Sequence, residues 1–241
     1  MKMQQHGHHL FQLTRLGAFN SFLVREEDGL TAVDTNMGGS APGILAVAQR
    51  LGLPLRRVVL THSHSDHVGS LDALHALLPG AEVLISAREA RLLGGERALD
   101  LGERKPGARL RGGYVKCSTL PTCLLADGER VGSLRVMMTP GHTPGHLALL
   151  DERDGTLIAG DALQTQAGVA VSGDLRALFP FPALATWHAP SALASARALI
   201  GVAPARLAVG HGRVLEEPLP AMRRAVESFQ RRLGATRVAG A

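Results

Sequence analysis

One stretch, Thr61-His62-Ser63-His64-Ser65-Asp66-His67, constrains this chain more than any other. It follows the apolar run Val58-Val59-Leu60 and places three imidazoles and a carboxylate between His62 and His67. Neither a core strand nor a solvated surface has a use for such a density of donors; a cation does. His62 and His64 are two positions apart, so in an extended segment both side chains leave the same face. Asp66 and His67 follow where the chain must bend, and can turn toward a second position. A helical H-E-x-x-H site sets its ligands four apart on one helix face. Here the site is a loop at the end of a strand, with more donors than one tetrahedral ion takes. The expectation is two metals.

Further donors follow in the same placement. Leu134-Arg135-Val136-Met137-Met138 runs into Thr139-Pro140-Gly141-His142, Leu157-Ile158-Ala159 into Gly160-Asp161, and Leu207-Ala208-Val209 into Gly210-His211. Each apolar run leads to a glycine and then a metal-binding residue type. A glycine there lets the backbone come close to a buried centre with no Cβ in the way.

These segments resemble the metallo-β-lactamase superfamily of binuclear metallohydrolases. The residues that carry the likeness are His62-x-His64-x-Asp66-His67, Thr139-Pro140-Gly141-His142-Thr143-Pro144-Gly145-His146, Gly160-Asp161 and Gly210-His211-Gly212. It extends to Asn20-Ser21-Phe22-Leu23-Val24 and Ala32-Val33-Asp34-Thr35. The resemblance implies an α+β, four-layer αββα sandwich with the metals at one edge between the sheets. Periodicity alone leaves the choice between α/β and α+β open. It also implies a grouping: His62, His64 and His142 for one metal, Asp66, His67 and His211 for the other, and Asp161 bridging. Asp66 has a further implied role, orienting the nucleophile or passing a proton to the leaving group. Asp34, Thr143 and His146 are expected to support the ligands from behind.

Imidazole and carboxylate donors without thiolate suit Zn²⁺ best and leave iron, manganese, cobalt and nickel open. Two cations sharing one water lower its pKa from about 15.7 to near 7, so hydroxide is the expected nucleophile. The implied activity is hydrolysis of an ester, lactone, thioester or phosphoester. The alternatives are a mononuclear non-haem iron oxygenase of the persulfide dioxygenase type, and a metal-bound binding protein without turnover. Departures from particular branches narrow the field. Gln164 stands where acyl-homoserine lactonases usually carry a tyrosine. One helix follows His211, where glyoxalase II enzymes add a helical domain. No cysteine falls at a ligand position, as it does in the main secreted zinc β-lactamases, and the long inserted domain of the RNA-processing nucleases is missing.

Composition sets outer bounds. At 241 residues and 45% hydrophobic, the chain suits one domain over residues 1–241. With 3% aromatics, its core must be aliphatic. No window reaches the roughly 18 uncharged apolar residues of a membrane span, and Met1-Lys2-Met3-Gln4-Gln5-His6 is no hydrophobic signal region. A cytoplasmic protein is expected, with Cys117 and Cys123 as free thiols. The net charge of +5 comes from scattered arginines without a dense tract or an aromatic platform. That pattern reads as a solvated face, not a nucleic-acid site. The expected partner is a small-molecule substrate; oligomeric state is left open.

Strands are expected within 8–24, from Leu30 to Val33, from Arg57 to Leu60 and over Val83-Leu84-Ile85. They recur from Cys123 to Leu125, Leu134 to Met138, Leu147 to Leu150, Thr156 to Ala159 and Arg206 to Val209. Apolar stripes place helices at Ser40 to Leu51, Gly69 to Leu78, Arg88 to Leu93, Pro190 to Leu199 and Glu217 to Leu233. His6, His8 and His9 are expected at the surface. Gly94 to Gly113 reads as a mobile loop or lid beside the site, followed by Tyr114. The insertion from Gln164 to Ala189 gathers Phe179, Phe181 and Trp187, either a substrate-pocket wall or a plain plug, and offers His188 as a substrate-facing candidate.

Overall fold

Residues of alternating apolar runs go to opposite faces of their strands, and that alternation builds the molecule. The computed structural model describes residues 1–239. The first half supplies strands β1 (Lys2–His6), β2 (Leu10–Arg15), β3 (Phe19–Glu26), β4 (Gly29–Val33), β5 (Leu55–Val59), β6 (Glu82–Ser86) and β7 (Cys123–Leu125). They form one sheet in that order. Pairing is antiparallel from β1 to β4 and parallel from β4 to β7. Parallel neighbours need crossovers. These are α1 (Ala41–Leu51), then α2 (Ser65–Val68) with α3 (Leu71–Leu77), then α4 (Ala87–Leu93) with the long segment that follows it.

The second half supplies β8 (Arg130–Val131), β9 (Leu134–Met138), β10 (Leu147–Asp151), β11 (Thr156–Ile158), the small hairpin β12 (Leu163–Gln164) and β13 (Ala170–Val171), and β14 (Arg206–Ala208) and β15 (Leu215–Glu216). Six of these make the second sheet, ordered β15-β14-β11-β10-β9-β8, and β12 with β13 stands apart. Helices α5 (Phe181–Leu184), α6 (Ala189–Gly201) and α7 (Leu219–Ala239) complete the half.

Burial resolves into three apolar layers. Val58 packs outward with Ile44, Leu71 and Leu74 under α1 and α3, whereas Val59 packs inward with Leu84, Leu134 and Val136. Likewise Leu157 and Leu207 face α6 and α7, while Ile158 and Ala208 face the first sheet. A period of two therefore sends successive residues to different layers. The result is the αββα sandwich expected, with an aliphatic centre between the sheets.

The helix from Ser40 is realised as α1, closed by Gly52 in the left-handed region at φ 67°. Beyond the elements expected, the structure adds β1, paired with β2 along its length, the four-residue α2 in the metal-binding stretch, and the short β8, β12, β13, β15 and α5. Within Gly94 to Gly113 a single 3₁₀ turn forms at Leu101–Glu103. Arg88 and Arg91 pair with Glu103 and Asp100 at 2.6 and 2.8 Å, so part of the basic surface is neutralised locally. Cys117 is buried and Cys123 exposed, both as free thiols.

Candidate metal centre

β5 ends at Val59, and the following turn carries His62, His64, Asp66 and His67 to the edge between the sheets. The turns after β9, β11 and β14 bring His142, Asp161 and His211 to the same place. Their potential ligand atoms fall into three groups, each within 4.8 Å: His62, His64 and His142; His62, His67 and Asp161; Asp66, His67 and His211. A tetrahedral ion with bonds of 2.0–2.1 Å holds its ligands about 3.4 Å apart. The separations here bracket that figure. His64 Nδ1 lies 2.9 Å from His142 Nε2, His142 Nε2 3.4 Å from Asp161 Oδ2, and His211 Nε2 3.1 Å from Asp161 Oδ2 and 3.3 Å from Asp66 Oδ2. Asp161 thus stands between the donors expected for the two ions.

Hydrogen bonds behind the rings fix which nitrogen faces inward. Asp34 accepts from His67 Nδ1 at 2.7 Å, leaving His67 Nε2 bare. The Arg111 carbonyl can only accept, so His64 carries its proton on Nε2, 2.8 Å away, and turns Nδ1 to the centre. The Ala18 carbonyl does the same for His211 Nδ1 at 3.3 Å. Thr61 spends its one hydroxyl proton on Asp34 at 2.8 Å and therefore accepts from His62 Nδ1 at 3.0 Å. Ser172 Oγ meets His142 Nδ1 at 2.8 Å. All five rings thus turn their other nitrogen toward the same edge between the sheets. His62 Nε2, His67 Nε2 and Asp161 Oδ1 are buried there without a hydrogen-bond partner. Buried polar atoms seldom stay unsatisfied. The overlapping donor groups therefore fit divalent cations.

His146 belongs elsewhere. Its Nε2 accepts the backbone N–H of Asp161 at 3.0 Å and its Nδ1 faces Thr139 Oγ1 at 2.8 Å, so it shapes the Gly160-Asp161 turn and offers no lone pair inward. Asp34 takes the supporting place expected for it. Its backbone is left-handed at φ 63°, a conformation that Asp tolerates better than most residues. Its two oxygens also accept from Thr61 N and Thr61 Oγ1, each at 2.8 Å.

The electrostatics separate two kinds of histidine. Burial pushes His62 and His142 well below the ordinary imidazole range and His64 down to about 4, favouring the neutral form that ligands need, and it pushes the supporting His146 down to about 3. For His211 burial acts in the same sense, but the Asp161 and Asp66 carboxylates outweigh it and raise the ring to about 9. His67 goes up likewise, with Asp161, Asp34 and Asp66 around it. Asp66 shows the mirror effect. Burial would raise it, yet the charges of His67 and His211 hold it down to about 2. Several carboxylates converging in a dry site call for positive charge, which a cation supplies as well as a proton.

Two features were not visible beforehand. Glu89, fully buried on α4, accepts the Ser63 N–H at 2.9 Å with one oxygen and the Gly145 N–H at 3.0 Å with the other. It thereby clamps the loop of His62 and His64 to the loop of His142. Burial keeps its carboxyl above the usual range. Asn20 donates to the carbonyls of Val209 and Gly212 at 2.9 and 2.6 Å, fixing the turn of His211. His188, a candidate for facing substrate, instead caps α6: its ring accepts the Ser191 N–H at 3.3 Å. It is not among the walls of the cleft over the centre. Tyr114, which follows the segment from Gly94 to Gly113, has its ring 4.6 Å from that of His64 and 4.6 Å from the Arg97 guanidinium.

That cleft has a volume of about 610 Å³. His64, Asp66, His142, Asp161 and His211 form its floor, and Phe19, Met37, Phe181, Pro182 and Leu184 its apolar walls. The insertion from Gln164 to Ala189 therefore provides a wall through α5, while Phe179 and Trp187 are buried behind it.

The sequence model of the metallo-beta-lactamase superfamily matches residues 15–211, a span that includes every donor named above. The chain belongs to this superfamily. It is 46% identical over 226 residues to the uncharacterized protein YobT of Bacillus subtilis (strain 168), covering 92% of this chain and 96% of that one. Hydroxyacylglutathione hydrolase of Stenotrophomonas maltophilia (strain R551-3) is 33% identical over 159 residues, 63% of this chain, and the match spans half (50%) of that enzyme's length. Among solved structures, that of TTHA1623 in a di-iron-bound form superposes with a TM-score of 0.63 at 28% identity, covering 87% of this chain and 95% of the other. As a superfamily member with His and Asp clusters of this kind, the chain shares its fold with metal-dependent hydrolases.

Proposed function

We propose that the protein is a binuclear metal-dependent hydrolase of small-molecule esters, lactones, thioesters or phosphoesters. The observation that carries this reading is the set of five imidazoles, each held from behind at its outer nitrogen, whose inner nitrogens gather with Asp66 and Asp161 at the edge between the sheets. His62, His64 and His142 would hold one divalent ion, Asp66, His67 and His211 the other, with Asp161 between them. Zinc suits the donors best, and the di-iron form of TTHA1623 keeps iron beside it. When bound, such a pair supplies Lewis acidity and a water acidified from about 15.7 to near 7.

The chain's own contribution is position. Asp34, Arg111 and Ala18 fix three rings through acceptors that leave no choice of tautomer. Asp66 lines the cleft and is the one carboxylate of the group with appreciable exposure, 25%. It is placed to take a proton on the substrate side and hand it to the leaving group. No helix of the described residues is long and apolar enough to cross a membrane. Together with two free thiols, this supports a cytoplasmic enzyme acting on a diffusible substrate.

Elemental analysis of protein purified without added metal, followed by a panel of chromogenic esters, lactones, thioesters and phosphodiesters, tests the proposal. About two divalent ions per chain and a turnover abolished by chelation are expected. One iron per chain with oxygen uptake would overturn it in favour of an oxygenase, and a fully loaded protein inert on the whole panel would leave only a binding role.

A further inference from the structure

We infer that the cleft selects a substrate with an uncharged, apolar chain beside the reacting bond, the acyl chain of an ester, lactone or thioester; this rests on the hydrolase reading above. The walls are the reason. Phe19 and Met37 come from the first half of the chain, and Phe181, Pro182 and Leu184 from α5 in the second. No Lys or Arg side chain is among them. Arg111, next to Gly112 of the wall, presents its carbonyl to His64. Cations held at the floor would serve a phosphoryl oxygen as well as a carbonyl oxygen, so the walls discriminate against charge remote from the reacting bond, which proteins meet with guanidinium or ammonium groups. A ligand with a carboxylate at its far end would find no counter-charge on these walls.

The apolar wall is also held in register with the centre. Trp187 N–H donates to the carbonyl of His142 at 2.8 Å, and Thr186 Oγ1 donates to the Pro182 carbonyl at 2.7 Å. Phe179 packs edge-on against both Phe19 and Phe181, with ring centroids 6.4 and 5.2 Å apart. Yet Phe181 and Leu184 remain 61% and 59% exposed. Large apolar side chains left open beside a reactive centre, on an anchored support, suit a ligand chain that covers them.

The test is a series of p-nitrophenyl acetate, butyrate, hexanoate and octanoate, with the monoester of adipic acid as the charged match to hexanoate and bis-p-nitrophenyl phosphate as the phosphoester. Burying one methylene changes kcat/KM by about fourfold, so a rise of that order per methylene is expected until the chain fills the cleft. The adipate monoester should fall back toward acetate, and Phe181→Ala and Met37→Ala should each lower the hexanoate-to-acetate ratio. Turnover that is flat with chain length, equal for adipate and hexanoate, or highest for the phosphodiester overturns the inference and leaves the hydrolase reading standing. If nothing in the series is turned over, calorimetric titration with octanoate and with octanedioate still decides. Octanoate should bind at least tenfold more tightly, with the difference lost in Phe181→Ala; equal binding, or none, overturns the inference.

Discussion

Asp34 and His67 are joined by a 2.7 Å hydrogen bond beneath the centre, from His67 Nδ1 to Asp34 Oδ2. The same carboxylate holds Thr61, whose hydroxyl in turn receives His62 Nδ1. One side chain thus orients two rings, one in each proposed metal group. Asp34→Asn is the informative change, because Asn shares the tolerance of Asp for the φ of 63° found here. Its amide nitrogen replaces one oxygen, so either Thr61 N–H or the pair of Thr61 Oγ1 and His67 Nδ1 loses its acceptor. Loss of such a supporting group costs about 10–100-fold in metal affinity. Competition with a chromophoric chelator should show that loss, with far-UV circular dichroism unchanged. Wild-type affinity in the variant would remove Asp34 from the site.

Glu89 yields a stability prediction. In Glu89→Ala the N–H groups of Ser63 and Gly145 lose their acceptor in a fully buried place. Each unsatisfied donor costs about 1–3 kcal/mol, so roughly 2–6 kcal/mol is expected. For a chain of 241 residues that lowers Tm by several degrees up to about 20 °C. Glu89→Gln keeps one carbonyl oxygen and should lie between. Calorimetry on the three proteins checks the order; equal melting temperatures would show that the clamp contributes nothing.

The contrast between these two residues explains what the sequence could and could not reveal. His62, His64 and His67 were legible because so many donors in one short stretch have few other uses, His142 and His211 because each follows a glycine after an apolar run, and Asp34 because it sits in a segment of the superfamily resemblance. Glu89 looked like any helical glutamate. Its partners lie 26 and 56 positions away, and no local pattern encodes that. Ser172, which fixes His142 from 30 positions away, was hidden for the same reason. The strands with one face on each layer were readable as continuous apolar runs, because both of their faces are buried. By contrast β1 is half-exposed on both faces, and α2 is one turn long, too short for any period to show.

Acid should loosen the return of the lid segment before the rest. Asp72 on α3 accepts from Ser118 N, Thr119 N and Thr119 Oγ1 at 2.9, 2.8 and 2.6 Å. Burial would raise its pKa, but these donors prevail and hold it at about 2 against a usual 3.8. A depressed folded-state value stabilises above the unfolded pKa, so the contribution is complete above about pH 4 and is lost as pH falls toward 2. Hydrogen exchange at Ser118 and Thr119 should therefore accelerate, relative to amides of β3 and β4, between pH 4 and pH 2, after correction for the intrinsic pH dependence. Asp72→Asn should show the faster exchange already at pH 6. Protection at these amides independent of pH in the wild type would contradict the assignment.

Gly210 is the position where the backbone has least room to change. A Cβ there would lie 2.2 Å from Asp161 Oδ1 and 2.6 Å from His67 Cε1, closer than real Cβ atoms come to other heavy atoms. The backbone is not left-handed at this residue, so the restriction is steric and comes from the centre itself. Gly210→Ala must displace Asp161 or His67, both held by hydrogen bonds or packing on their far sides. We expect the variant to fold, since the interior between the sheets is untouched, and to bind fewer than two ions per chain with at least a hundredfold lower kcat, the order of loss for misplaced catalytic groups. Metal counting beside a thermal melt separates the two effects. Two ions per chain with normal turnover would mean that Asp161 and His67 are free to move aside, and the convergence of donors on Asp161 would no longer support a shared site.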